Sequence, residues 1–162
     1  MEIKEIKESK EIQILAELAK EIWEEHFIPI IGEQQVAYML DKFQSVPAIT
    51  EQFKDGYQYY LLKDNKITMG YTGIKMEEEK MFLSKLYISK EHRGKGISKK
   101  AMQFLIELCK DKDKKAMYLT CNKYNENTLK VYNHLGFKIV KEEITDIGNG
   151  YIMDDYILEK EI

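Results

Sequence analysis

Three consecutive strand-like stretches, Tyr57 to Lys63 rich in aromatics and Leu, Ile67 to Met76, and Met81 to Ile88, are separated only by Asp64-Asn65-Lys66 and by Glu77-Glu78-Glu79-Lys80. A parallel return needs a crossover of about a dozen residues or more, so connections this short force an antiparallel meander. Strict alternation in the third stretch predicts Phe82, Ser84, Leu86 and Ile88 on one face and Met81, Leu83, Lys85 and Tyr87 on the other. Gly70 and Gly73, inside the second stretch, predict a bulge or a close backbone approach.

The segments on either side have a helical period. Ile3 and Ile6 suggest a short first strand. From Ser9, read as an N-cap, Ile12, Leu15, Ala19, Ile22, Trp23 and Phe27 recur at three and four, and Pro29 with Gly32 is expected to end that helix. A second helix runs through Val36, Met39, Leu40 and Phe43, and a short helical piece, Ala48 to Lys54, leads into Asp55-Gly56. Beyond Ile88 come a helix from Ile97 to Lys110, a strand from Ala116 to Cys121, and a helix opened by Asn125 and closed by Gly136. Phe137 to Thr145 and Tyr151 to Leu158 form a final antiparallel pair around Gly148-Asn149-Gly150. No linker, repeat or low-complexity stretch divides this order, and 162 residues suffice for one core. The expectation is one domain over residues 1–162, of mixed α+β class.

Charge narrows the partners. With 25 basic and 28 acidic residues the net charge is −3, so no global field attracts nucleic acid or an anionic membrane. No apolar run reaches the roughly 18 residues of a bilayer span, and Met1-Glu2-Ile3-Lys4-Glu5 has charges where a signal peptide is apolar. A cytoplasmic protein without nucleic-acid or membrane partners is expected. Cys109, Cys121, His26, His92 and His134 lack the spacing of a disulfide framework or a metal site, and neither is expected.

The segment between strand and helix carries the chemistry. Arg93-Gly94-Lys95-Gly96 stands where the helix begins, and glycines there leave main-chain N–H groups open to an anion that the helix dipole also favours. Arg93 is the only arginine among the 25 basic residues, and its fork of donors is a natural anion anchor. A solvated surface connection has the same composition, and spacing alone does not separate the two. A dinucleotide fingerprint needs glycine where Lys99 stands, and a Walker loop needs a Gly-Lys-Ser/Thr ending that is absent. A second cluster puts Asn125 and Asn127 at a helix start and Tyr132 two turns on; on its own it reads equally as capping plus a core tyrosine.

Together, Arg93-Gly94-Lys95-Gly96-Ile97-Ser98 and Asn125…Tyr132…Gly136-Phe137, in this element order, resemble the GCN5-related N-acetyltransferase (GNAT) superfamily. Its Arg/Gln-x-x-Gly-x-Gly/Ala pattern is met at Arg93 and Gly96, and Ser98 departs from it by a small side chain. The resemblance implies a mostly antiparallel sheet of six to seven strands, splayed between the fourth and fifth and flanked by about four helices. It implies acetyl-CoA as cosubstrate, with the main chain of Arg93, Gly94, Lys95, Gly96, Ile97 and Ser98 on the pyrophosphate. Leu86, Tyr87 and Ile88 would pair with the pantetheine arm, and Asn125, with Asn127 as the weaker candidate, would hydrogen-bond it.

The implied reaction is direct attack of a primary amine of a small molecule, such as a polyamine or amino-group metabolite, with Tyr132 as general acid. Many relatives carry a glutamate base near the position of Ser84, which cannot serve. Glu24, Glu25, Glu33, Tyr57, Tyr59, Tyr60 and water remain as helpers. A protein or peptide N-acetyltransferase and a non-catalytic acyl-CoA-binding regulator are the competing functions, and the resemblance leaves a homodimer open. Cys121 reads as a packed strand-end thiol and Asp154-Asp155 as a strand bend or edge charge.

Overall fold

The structure, a computed structural model, describes residues 1–162. Strand β1 (Glu2–Glu5) precedes three helices, α1 (Ser9–Ile31), α2 (Glu33–Phe43) and α3 (Val46–Lys54). The meander follows as β2 (Tyr57–Asp64), β3 (Ile67–Met76) and β4 (Lys80–Ile88), and a single 3-10 turn, Lys90–His92, leads to α4 (Ile97–Asp111). The chain ends with β5 (Ala116–Asn122), α5 (Glu126–His134), β6 (Lys138–Gly148) and β7 (Tyr151–Glu161). There are thus five α-helices where the resemblance implies about four. No helix is long and apolar enough to cross a membrane.

All seven strands join one sheet in the order β1-β2-β3-β4-β5-β7-β6. Every neighbouring pair is antiparallel except β4 and β5. These two run parallel and pair only over Lys80–Phe82 and Ala116–Tyr118, then diverge. The expected splay is therefore present, and it opens toward the C-terminal ends of both strands.

Both ends of α1 differ from the sequence reading, and α3 begins at Val46 rather than Ala48. The N-cap of α1 is Glu8 rather than Ser9, because the buried Glu11 carboxylate accepts the Lys7 and Glu8 N–H groups at 3.2 and 3.3 Å and pairs with Lys4 at 3.1 Å. Pro29 does not end α1. It is exposed within the last turn, and the helix stops at Gly32, whose φ of 89° takes the chain out of the helix while its N–H closes on the Ile28 carbonyl at 2.9 Å.

The faces of β4 also differ. Between Gly73 and Ile74 of β3 the register shifts, so that Leu83, Ser84 and Lys85 span two residues of the partner. Ser84 is the extra residue of a β-bulge, and a bulge reverses the alternation beyond it. Met81 and Leu83, and beyond the bulge Leu86, consequently pack with Met102, Leu105, Met117 and Phe137 on the α4/α5 side. Lys85 reaches Tyr59 on the opposite side, where Tyr59, Tyr71 and Tyr87 pack with Leu15, Ala19 and Ile22 of α1 and Ile49 of α3. A third cluster, Trp23, Phe27, Val36, Met39 and Ile147, joins α1 and α2 to β6. Each fully buried aliphatic side chain in these layers contributes about 1.5–3 kcal/mol.

Candidate active site

The connection from β4 to α4 begins as a tight turn in which Arg93 N–H donates to the Lys90 carbonyl at 3.3 Å and the Ser89 hydroxyl meets His92 Nδ1 at 2.7 Å. Gly94 and Gly96 then take φ of 75° and 76°, the left-handed region that favours glycine. With this backbone, none of the N–H groups of Gly94, Lys95, Gly96, Ile97, Ser98 and Lys99 has an acceptor within the chain. Six consecutive free donors at the N-terminus of a 15-residue helix form an anion site. Arg93's own N–H, expected among them, is used in the turn, and Lys99's was overlooked by the sequence reading.

The sole guanidinium does not face this site. Its Nη1 and Nη2 donate to the two Glu25 carboxylate oxygens at 3.0 and 2.8 Å, and its Nε donates to the Ile88 carbonyl at 2.9 Å. The expectation of Arg93 as an anion anchor is corrected on this point, because a carboxylate 68 residues away in sequence satisfies the fork. Arg93 instead ties the loop to α1. The guanidinium's hydrogen bond in turn holds the Glu25 carboxyl below its usual range.

From the loop, a cleft of about 890 Å³ runs through the splay. It brings together Leu86, Tyr87, Ile88, Arg93, Gly94, Gly96, Ile97, Ser98, Asn125, Asn127 and Tyr132, and of the residues expected at the site only Lys95 does not line it. The Ser89 N–H donates to the Met69 carbonyl at 2.9 Å. Since main-chain groups alternate sides along a strand, those of Tyr87 face β3 while those of Leu86 and Ile88 face the gap. Tyr87 therefore offers no main-chain edge there, and its ring instead packs at 5.7, 6.1 and 5.6 Å from Trp23, Phe27 and Tyr71.

Asn125 is buried, and its Oδ1 lies 3.2 Å from His26 Nε2 instead of capping α5. Its amide nitrogen stays free for the cleft. The Tyr132 ring stands edge-on to Phe137 at 5.4 Å. Burial raises the Tyr132 phenol above its ordinary value, so it holds its proton throughout neutral pH. Burial likewise pushes the Cys121 thiol up to about 12, which keeps it protonated and inert.

Of the helpers considered for proton removal, Glu24 and Glu33 are exposed and outside the cleft, and Glu25 is held by Arg93. Tyr60 packs on Phe104 of the α4 face at 5.2 Å, and Tyr59 is buried with its hydroxyl donated to Gln52. Only Tyr57 lines the cleft. Two ionisable residues that the sequence reading passed over do line it. Lys85 is buried without a carboxylate, its Nζ 3.0 Å from Gln52 Oε1 and 3.3 Å from Ser84 Oγ, and burial lowers it to about 7. Asp155 is equally buried and is raised to about 6 by burial and by Asp154 and Glu143. A lysine inside an apolar alternation was the legible signal for the first. The second was read as an edge charge, and that reading is corrected: Asp154 alone bonds Lys123, at 3.0 Å, while Asp155 lines the cleft.

The profile of the acetyltransferase (GNAT) family matches residues 15–137. Among solved structures, a PaiA N-acetyltransferase from Thermoplasma acidophilum in complex with coenzyme A has a TM-score of 0.80 at 22% identity, with 100% of both chains covered. A GCN5-related N-acetyltransferase from Rhodopseudomonas palustris has a TM-score of 0.84 at 10% identity, covering 99% of this chain and 95% of its own. A spermidine N-acetyltransferase SpeG chimera from Vibrio cholerae and hSSAT has a TM-score of 0.72 at 14% identity, covering 99% of this chain and 96% of its own. No curated protein matches the sequence. At these identities the structural likenesses speak for the fold.

Proposed function

The chain belongs to the GNAT acetyltransferase family, whose members use acetyl-CoA as cosubstrate, and we propose that it transfers the acetyl group to the primary amine of a small molecule by direct attack. The observation that carries this reading is the row of free N–H groups from Gly94 to Lys99, of which Gly94, Gly96, Ile97 and Ser98 line the cleft that runs between β4 and β5. A pyrophosphate satisfies these donors, and the main-chain edge of β4 at Leu86, with the Ile88 N–H, accepts the pantetheine arm as an added strand, the Ile88 carbonyl being taken by Arg93. Asn125, oriented by His26, hydrogen-bonds that arm, and Asn127 lies beside it.

Tyr132 meets the sulfur as the C–S bond breaks. A phenol raised above 10 transfers its proton uphill to a thiolate of about 8.5, so Tyr132 acts chiefly as a hydrogen-bond donor to the developing charge. A small acceptor is favoured by the roof over the cleft. Tyr38 of α2 donates to the Ile147 carbonyl at 2.6 Å and Gln35 to the Ile152 carbonyl at 2.9 Å, which closes α2 onto the β6–β7 hairpin where a polypeptide would need an open groove.

The test is calorimetric binding of coenzyme A followed by mass-spectrometric detection of acetylated products across polyamines, amino acids and N-terminal peptides. Binding with acetylated small amines is the expected result. Acetylated peptides alone would favour the protein-directed alternative, and binding without any product would favour an acyl-CoA-binding regulator.

A further inference from the structure

We propose that Asp155 is a catalytic carboxylate that pairs with the acceptor's ammonium and takes the proton that must leave before the nitrogen can attack. The inference rests on the acetyl-transfer reading and supplies a base that is not among the helpers the sequence suggests.

Asp155 sits on β7 opposite Asn122 of β5 and Glu143 of β6. Only 6% of its surface is exposed, yet it lines the cleft, and the ion pair on this strand is made by Asp154 and not by Asp155. The adjacent Asp154 alternates to the other side of the strand, where Lys123 lies 3.0 Å from it and 3.6 Å from Glu142. The nearby cation is thereby taken. The titratable groups near Asp155 are Glu143 opposite it on β6, Asp154 on the far face of its own strand, Cys121 on β5 and Tyr87 on β4, and none of them is a cation. A carboxylate buried without a partner destabilises a fold, and a cationic ligand supplies the missing charge.

Its position also suits the chemistry. Asp155 pairs with Asn122, the residue after Cys121 at the splayed end of β5, and it lines the same cleft as Cys121 and Tyr132. Burial and the charges of Asp154 and Glu143 lift the Asp155 carboxyl to about 6, so it is ionised at neutral pH but a stronger base than an exposed aspartate.

Two protons leave the ammonium in the full reaction. The first passes to Asp155, and both partners become neutral, a change that apolar surroundings favour. The freed lone pair forms the C–N bond at the acetyl carbon, and the C–S bond breaks with its electron pair on sulfur. The second proton leaves the adduct nitrogen and ends on the CoA sulfur, to which Tyr132 is hydrogen-bonded. Asp155 then returns its proton to solvent.

The experiment follows CoA release from acetyl-CoA with spermidine and n-hexylamine as acceptors. Asp155→Asn is expected to lower kcat/KM for the amine by about 100-fold or more. It should also abolish an acidic limb near pH 6 that the wild type shows, leave coenzyme A affinity within about two-fold, and raise the melting temperature at pH 8. Asp155→Glu should keep the limb with reduced rate. A merely structural aspartate would instead lower the melting temperature on change to asparagine. An active wild type whose asparagine variant keeps both the rate and the limb overturns the assignment of Asp155 alone. A wild type that binds coenzyme A and acetylates neither amine counts against the transfer reading from which the proposal starts.

Discussion

At the residue scale, the distinction is between side chains that hold the site and side chains that react. Gly96 belongs to the first kind: its φ of 76° aims its neighbours' N–H groups outward, and an added Cβ would meet nothing within 4 Å. Gly96→Val should therefore fold, yet force the backbone out of the left-handed region at a cost of about 1–2 kcal/mol or more. Coenzyme A affinity measured by calorimetry is expected to fall at least about ten-fold, and unchanged affinity would contradict the role given to these amides. Tyr132 belongs to the second kind. Tyr132→Phe should leave coenzyme A affinity intact while turnover falls roughly 10- to 100-fold, less than a full general acid contributes because solvent reaches the thiolate. Loss of binding in step with turnover would make Tyr132 a packing residue.

At the scale of elements, α1 positions the cofactor loop through the Glu25–Arg93 pair. Both side chains are about one-third exposed, which limits the pair to about 1 kcal/mol despite its two parallel hydrogen bonds. Glu25→Gln and Arg93→Gln should each weaken coenzyme A binding several-fold, and the double variant no more than either alone. Additive losses in that double-mutant cycle would show that Arg93 acts on the ligand rather than through α1. The elements themselves were largely legible, because hydrophobic period and turn residues are local signals. What alternation could not reveal was the bulge at Ser84, which turns Lys85 to the α1/α3 side and leaves Gly73 as its only trace in the sequence. The partner of Arg93 was illegible for a related reason. Nothing near position 93 encodes a carboxylate on a helix that only the tertiary fold brings alongside.

At the scale of the whole molecule, two buried ionisable groups couple the cleft to stability. Lys85 has a folded value of about 7 against an ordinary 10.5, so between these pH values the unfolded chain carries a proton that the folded chain has lost. Stability then rises with pH across that window, at up to about 1.4 kcal/mol per unit. Asp155 is shifted from 3.8 to about 6, and there the folded chain keeps the extra proton, so stability falls as pH rises between those values. Their joint contribution is lowest between about pH 6 and 7. Urea midpoints measured from pH 5 to 10 should show the alkaline rise, and Lys85→Met should flatten it; an unchanged profile would mean that Lys85 keeps an ordinary value when folded.

The loop was legible in its residues, and the splay and cleft were implied by the family resemblance, but their meeting in one place is a property of the folded chain. That meeting is tested most directly by following the backbone amides by NMR as coenzyme A is added. Gly94 to Lys99, together with Leu86 and Ile88, should show the largest shifts, with the loop amides moving downfield as they acquire a phosphate acceptor. Saturable binding that leaves the Gly94 to Lys99 amides unmoved would contradict the assignment of this loop as the cofactor site.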